Sequence, residues 1–322
     1  MKNVITEFKY KFKETDNIRA ILGIHDRFLK IIEQKYDVRL ILENRELKIL
    51  GNESAVQISK DVLEELSLLY ASESKITLDD LKIILQLTNG NGISSYSPTD
   101  IFIAMKNGKY IYPKSEGQIR LIKALEKNDI LFVIGPAGTG KTYLSVAQAV
   151  EYLESGKINK IILSRPAVEA GESLGFLPGD FKEKVDPYLK PLYDALEDML
   201  PKETLIKYIE KEIIEVVPLA FMRGRTLNNA FVILDEAQNS TFMQMKMFLT
   251  RLGRNTKSVI TGDITQIDLS DRNDSGLLSS IKILKKIKGI AFIEMKKEDV
   301  VRHELVKEII DAYDKYSTKK IR

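Results

Sequence analysis

The chain of 322 residues contains no cysteine and two histidines, His25 and His303. The absence of thiols excludes disulfide bonds and cysteine-ligated metal sites. The two histidines lie too far apart in sequence to form a helical ligand pair. A zinc enzyme is therefore not expected.

Long apolar segments are missing as well. No run of about 18 apolar residues occurs, and the first residues, MKNVITEFKYKFKETDN, lack the apolar stretch of a signal peptide. We therefore expect a cytoplasmic protein without membrane contact. The net charge of +3 is too small to indicate a nucleic-acid partner by itself, although KILKKIKG and STKKIR are locally basic.

Two regions of different character follow one another. Residues 1–88 combine helical periodicity, as in NIRAILGIHDRFLKIIEQKY, with the hairpin pattern DVRLILENRELKILG, which predicts a small α+β domain. The Gly- and Ser-rich GNGISSYSPTD predicts a linker over 89–109. In residues 110–322, β-rich runs (ILFVIG, KIILS, EVVPL, AFVILDE and KSVITGD) alternate with helical stretches, which predicts an α/β domain with a mostly parallel sheet.

GPAGTGKTYL, residues 135–144, fits the phosphate-loop pattern G-x-x-x-x-G-K-[ST] and stands between a predicted strand and a predicted helix. Its glycines allow the backbone to wrap a polyphosphate, and the following helix N-terminus favours an anion. Lys141 would hold β- and γ-phosphate oxygens, and the Thr142 hydroxyl would bind Mg²⁺. The predicted nucleotide-binding residues are Gly135, Pro136, Ala137, Gly138, Thr139, Gly140, Lys141 and Thr142.

AFVILDEAQN ends an apolar strand with two acidic residues. Asp235 would orient Mg²⁺ and its waters, and Glu236 would polarise the attacking water as a general base. Taken alone, such a pair is equally compatible with a helix N-cap. A third element follows the strand in KSVITGDITQIDL, where the Gln266 amide could contact both γ-phosphate and water, or could belong to a polar turn.

Six blocks of the sequence together resemble the PhoH-family ATPases, in their long form with an N-terminal RNA-binding-like domain. The blocks are GPAGTGKTYL, SRPAVEAGESLGFLPGD, DPYLKPLYDAL, FMRGRTLNNAFVILDEAQNST, MKMFLTRLGRNTKSVITGDITQIDL and DVVRHELVKEIIDAY. The resemblance implies a RecA-like P-loop NTPase core that binds ATP and Mg²⁺ and is related to the first motor domain of superfamily 1 helicases. It also implies that Gln118 reads the adenine and that Asp263 and Gln266 form a third motif.

The same resemblance implies a bacterial cytoplasmic protein of RNA or ribosome metabolism, with a YbeY-type endoribonuclease as a partner. Two functions stay open: an RNA-linked ATPase motor, or a nucleotide switch that assists ribosome assembly without motor activity. Helicases carry a second RecA-like domain, which does not fit after Gln266. We therefore expect a neighbouring subunit to complete the site, in a ring that the resemblance suggests is a hexamer. A slow monomeric ATPase is the alternative.

We predict that Arg302 acts as an arginine finger on the ATP of an adjacent subunit, mainly because of the resemblance. A surface salt bridge with Glu298 or Asp299 is the alternative role of this side chain. Other arginines compete for the finger role: Arg165, Arg223, Arg225, Arg251 and Arg254.

Two further segments have open roles. Residues 1–88 resemble a KH domain, and LGIHDRFLKIIEQ falls at its RNA-clamping G-x-x-G loop, but the fourth position is Asp26, whose carboxylate would repel phosphate. RNA contact and protein docking therefore both stay open for this domain. The Pro- and Gly-rich segment from Ser164, with Arg165, Glu169, Glu172 and Lys190, predicts a long ordered loop with no assigned contact.

Overall fold

The computed structural model describes residues 6–301, apart from 15, 24–25, 74–75, 89–102, 105–109, 112 and 167–180, together with residue 309. The chain divides into two compact units, Met1–Lys114 and Ser115–Arg322. The division follows the segment predicted as a linker, 89–109, most of which lies outside the described residues. The predicted boundaries stay a prediction.

The first unit is a small α+β fold with a three-stranded antiparallel sheet in the order β1-β3-β2. Its elements are β1 (Thr6–Lys11), α1 (Ile18–Leu22), α2 (Arg27–Tyr36), β2 (Arg39–Glu43), β3 (Glu46–Gly51), α3 (Glu53–Glu73) and α4 (Leu78–Thr88), followed by the short antiparallel pair β4 (Ile103–Ala104) and β5 (Tyr110–Ile111). The β-α-α-β-β-α order of the first six elements agrees with the predicted KH-like class.

The predicted hairpin is present, and its register follows from side-chain alternation. Glu43 pairs with Glu46 across the turn. Leu47 and Ile49, on one face of β3, are fully buried against the apolar face of α3, which includes Leu63 and Leu66. A shift by one residue would expose this face, so burial fixes the pairing.

The helical periodicity of residues 17–36 belongs to two helices rather than one. Gly23 ends α1 with a φ of 80°, and Asp26 precedes α2 with a φ of 57°. A Cβ on Gly23 would lie 2.8 Å from the Phe28 ring, so a side chain does not fit there. The interruption thus lies at the position expected for the G-x-x-G loop.

The second unit contains a six-stranded sheet in the order β11-β6-β10-β9-β7-β8. All neighbouring strands are parallel, which confirms the predicted α/β class. The elements are α5 (Glu116–Lys127), β6 (Ile130–Ile134), α6 (Lys141–Glu154), β7 (Lys160–Arg165), α7 (Phe181–Met199), α8 (Lys202–Glu210), β8 (Ile214–Pro218), β9 (Ala230–Leu234), α9 (Phe242–Leu249), β10 (Lys257–Gly262), α10 (Gly276–Leu284) and β11 (Ile290–Glu294).

Sheet order decides which loops meet. The five predicted β-rich runs form β6 to β10, and β11 is an additional strand. Every residue of β9 is buried, as expected for a central parallel strand. Since β10 lies between β6 and β9, the segments after β6 and β9 are two strand spacings apart, about 10 Å. The segment after β10 lies between them.

Among the described residues, no helix combines the length and the apolar character that crossing a membrane requires.

Candidate nucleotide-binding site

The phosphate loop connects β6 to α6 and is shaped by glycine at two positions. Gly138 and Gly140 have φ values of 81° and 80°, a backbone region that other residues rarely adopt. A Cβ on Gly140 would also lie 2.9 Å from Nε2 of Gln118. The sequence motif therefore has the backbone conformation for which its glycines are needed.

Side chains of the motif brace the loop from within. The Thr139 hydroxyl donates to the Pro136 carbonyl at 2.9 Å. The Lys141 ammonium donates to the carbonyls of Gly135 at 2.6 Å and Pro136 at 2.8 Å. The loop then leads directly into α6, whose N-terminal N–H groups and dipole favour an anion. This combination of ammonium, backbone N–H groups and glycine curvature fits a polyphosphate.

Asp235 joins three elements of the site. Its Oδ1 accepts hydrogen bonds from the hydroxyls of Thr142 and Thr261, each at 2.6 Å, and its side chain is almost wholly buried. Mg²⁺ takes one or two protein oxygens and completes its shell with waters and phosphate oxygens. Thr142 and Asp235 are suitable oxygen ligands for it. The described residues contain no cluster of three or more His, Cys, Asp or Glu side chains that could hold a metal ion.

Glu236 follows directly and has a left-handed backbone with a φ of 50°. Its Oε2 accepts a hydrogen bond from Nε2 of Gln238 at 2.5 Å. Its Oε1 lies 3.4 Å from Nη2 of Arg165, the last residue of β7. Arg165, predicted as a competing finger, thus contacts the predicted general base of its own chain.

Gln238 connects the acidic pair to the segment after β10. Besides Glu236, its amide donates to the Gln266 carbonyl at 3.0 Å, and its Oε1 accepts the Asp263 N–H at 3.0 Å. Asp263 uses its carboxylate within its own turn, where Oδ1 accepts from the N–H and hydroxyl of Thr265. Gln266 is exposed and joins the site through its backbone. The third predicted element therefore does lie beside the second.

Gln118 lies in the first turn of α5 and is 96% buried, with 4% of its surface exposed. Its Nε2 donates to the Thr139 carbonyl at 2.9 Å, so the amide contacts the phosphate loop. Contact with adenine stays a prediction.

The segment after β11 contacts both the start of α5 and the phosphate loop, and we call its contacts the Asp299 brace. The buried Asp299 carboxylate accepts the N–H groups of Gly117 and Lys296, each at 2.8 Å. Burial raises the pKa of Asp299, but hydrogen bonds from Lys296, Ser115 and Gly117 outweigh it and place the pKa below its usual value. Two residues further, the Val301 N–H donates to the Gly138 carbonyl at 2.9 Å.

The other predicted residues either lie outside the described residues or have partners elsewhere in the fold. Arg302, Glu169 and Glu172 lie outside the described residues. Arg225 forms an ion pair at 2.8 Å with Glu215, a residue of β8. Burial raises the pKa of Glu215, but hydrogen bonds from Arg225 and Lys160 outweigh this and lower it.

The remaining arginines and Lys190 have other surroundings. Arg251 donates to the Arg225 carbonyl and the Thr250 hydroxyl. Arg223 and Arg254 are exposed. Lys190 forms an exposed pair with Asp194 within α7, at 3.1 Å.

Thr261, Gln238 and the Asp299 brace were not predicted as parts of the site. Gln238 lies within the motif AFVILDEAQN, and Thr261 comes just before Gly262 and Asp263 in KSVITGD. Their positions in or beside these motifs could have indicated that both residues belong to the site. No local pattern points to the contact between Asp299 and Gly117, which are 182 positions apart.

A parallel sheet that carries a phosphate loop after one strand and an acidic pair after another, with the two joined by a hydroxyl–carboxylate contact, defines a P-loop NTPase fold. Residues 110–314 match the family model described as PhoH-like protein. The chain belongs to the PhoH family, as its sequence resemblance predicted.

Relatives support this membership over most of the chain. The PhoH-like protein of Bacillus subtilis (strain 168) is 48% identical over 307 residues, 95% of this chain and 96% of that one. The PhoH-like protein of Mycobacterium tuberculosis (strain H37Rv) is 47% identical over 94% of this chain and 86% of its own. Protein PhoH of Escherichia coli (strain K12) is 44% identical over 63% of this chain and 58% of its own.

A solved structure, the SWI2/SNF2 ATPase core of Sulfolobus solfataricus in complex with dsDNA, is 15% identical and reaches a TM-score of 0.32. The match covers 55% of this chain and 42% of that one. At this score the likeness adds nothing to the assignment.

We predict that Asp299→Asn lowers the free energy of unfolding at pH 7 by about 1–3 kcal/mol, because two buried N–H groups lose a charged acceptor. Since the folded pKa of Asp299 lies below its usual value, its ionised form stabilises the fold above about pH 4 and this contribution is lost as the pH falls further. Urea unfolding of both proteins should give a difference that shrinks at pH 3. Asp194→Asn, at an exposed pair, should have little effect; a pH-independent loss at Asp299 would contradict the assignment.

Proposed function

We propose that this protein binds ATP with Mg²⁺ at the phosphate loop and hydrolyses it to ADP and phosphate. The observation that carries the proposal is the double contact of Asp235 with Thr142 and Thr261, which holds the acidic pair next to the phosphate loop. Water attacks the γ-phosphorus while the bond to the ADP oxygen breaks. The Mg²⁺ ion would neutralise charge on the phosphate oxygens.

Each side chain has a separate task in this proposal. Lys141 neutralises phosphate charge, and Thr142 with Asp235 holds the metal. Glu236 orients and polarises the water. Gln266 reports on the γ-phosphate, and Gln118 contacts the adenine.

The first prediction of this function separates binding from hydrolysis. Lys141→Ala should prevent productive ATP binding, because the ammonium is lost from both ground and transition states. Glu236→Gln should bind ATP nearly as well as wild type but hydrolyse it at least about 100-fold more slowly, since its carboxylate matters chiefly when water attacks. Fluorescent-nucleotide titration and phosphate release measure the two effects. Equal losses of affinity in both variants would contradict the roles.

We further propose that the ATPase acts in RNA or ribosome metabolism as a homo-oligomer, with a YbeY-type endoribonuclease as a candidate partner. The support is the family resemblance and the KH-like order of the first unit. The alternative of a nucleotide switch without motor activity remains part of this proposal.

A motor and a switch differ in what stimulates hydrolysis. For an RNA-linked motor, single-stranded RNA should raise the ATPase rate of the full chain several-fold. For a switch, the endoribonuclease should change the rate and RNA should not. Phosphate release is measured with each addition, and Glu236→Gln controls for a contaminating ATPase. A rate unchanged by RNA would reject the motor.

The arginine finger is proposed at Arg302, acting in trans, which would make a closed ring the natural assembly. Val301 lies against the phosphate loop of its own chain, so the experiment must distinguish a finger in cis from one in trans. A finger contributes roughly 10³-fold or more to the rate, so Arg302→Ala and Lys141→Ala should each be inactive alone.

Mixing the two variants equally should restore about one quarter of the wild-type rate, because half of the sites keep Lys141 and half of their neighbours keep Arg302. Phosphate release is measured after co-assembly has been verified. Arg302→Ala mixed with the double variant Arg302→Ala, Lys141→Ala should remain inactive. No recovery in a co-assembled mixture would assign the finger to the same chain or to another arginine.

A further inference from the structure

Glu236 is contacted at both of its carboxylate oxygens by other side chains, Gln238 from its own segment and Arg165 from β7. Gln238 donates to Oε2 at 2.5 Å, and Arg165 lies 3.4 Å from Oε1. The inference drawn from this rests on the proposed function, because it concerns the base of that reaction. A water molecule that is to be polarised needs an acceptor site on one of these oxygens. A carboxylate oxygen can accept more than one hydrogen bond, but a donor already bound there competes with the water for space and for electron density.

The contact with Gln238 is the more firmly fixed of the two. Gln238 is 1% exposed, and its amide is also bonded to the backbone of Asp263 and Gln266. Moving it would leave buried donors and acceptors unsatisfied, which is costly. Oε2 therefore keeps its partner, and Oε1 is the oxygen left for water.

The contact with Arg165 is the one that can be exchanged. Solvent reaches both partners, since 22% of the Arg165 side chain and 32% of the Glu236 side chain are exposed. Ion pairs that water can reach are weak. Arg165 also has a second contact away from Glu236, because its Nη1 donates to the Tyr188 carbonyl in α7 at 3.2 Å. The guanidinium can leave Oε1 without losing every protein partner.

We propose that Arg165 is a positioning residue that restrains Glu236, and that hydrolysis is faster when the guanidinium has withdrawn from Oε1. While the ion pair is formed, the guanidinium competes with water for the oxygen that the reaction uses. The pair therefore slows the basal reaction. Because the same guanidinium is anchored to Tyr188, a displacement of α7 would change how often Glu236 is released.

An arginine finger and a restraint on Glu236 predict opposite changes in the hydrolysis rate when Arg165 is removed. If Arg165 were an arginine finger for its own nucleotide, its removal would lower the rate by roughly 10³-fold. If it restrains Glu236, removal raises the rate. A merely structural arginine would lower the rate or leave it unchanged, so an increase in kcat identifies the restraint.

The test is steady-state ATP hydrolysis by the full chain with Arg165→Ala, Arg165→Gln and Arg165→Lys. The Ala and Gln variants should raise kcat about two- to fivefold, because breaking an ion pair this exposed shifts an equilibrium by little more. The KM for ATP should change less than about twofold, since Arg165 is not a phosphate ligand in this proposal. Arg165→Lys keeps the charge and should fall between these variants and wild type.

Arg225→Ala is the matched control, because it breaks an arginine–glutamate pair that involves Glu215 of β8 and lies away from the site. It should not raise kcat. Thermal unfolding checks that the variants are folded, and Arg165→Gln carries the test if the Ala variant is not. A wild type that hydrolyses ATP, with Arg165 variants no faster, would overturn the restraint alone. Absence of hydrolysis in wild type and variants alike would overturn the proposed function and this inference with it.

Discussion

One carboxylate oxygen, Oδ1 of Asp235, fixes the arrangement on which the site depends. It receives the hydroxyls of Thr142 at the start of α6 and Thr261 near the end of β10. Those two residues are 93 and 26 positions away from Asp235 in sequence. Because the carboxylate is buried, losing either donor would cost more than an exposed hydrogen bond contributes. The contact thus links correct pairing of β9 and β10 to the position of the phosphate loop.

The position of β10 between β6 and β9 also determines which residues surround the acidic pair. The segment after β10 is carried to the acidic pair, where Gln238 joins Asp263 and Gln266 to Glu236. The segments after β9 and β10 therefore contribute to one hydrogen-bonded group. Since these contacts share one buried amide, a change at Gln266 reaches Glu236 through a single side chain. That is a short physical route between the predicted phosphate sensor and the predicted base.

The sequence was sufficient to predict those features that depend on neighbouring residues along the chain. The phosphate loop needs left-handed glycines and a helix start within eight positions, and the strands need only a few apolar residues, so the motif, the α/β class and five strands could be predicted. The break between α1 and α2 was less clear, because Gly23 and Asp26 interrupt a periodicity that continues on both sides. Partners such as Thr261 for Asp235, and Arg165 for Glu236, depend on strand order, which no local pattern contains.

The Asp299 brace shows why the remainder of the site required the structure. Asp299 holds the start of α5, Gln118 in that turn holds Thr139, and Val301 holds Gly138, so three contacts form a closed circuit around the phosphate loop. Each contact joins residues that are more than 20 positions apart and is ordinary by itself. Their effect is joint, because a movement of the phosphate loop would strain the contact at Thr139 and the contact at Gly138 together. Any shift of the loop must therefore be shared with α5 and with the segment leading to Arg302.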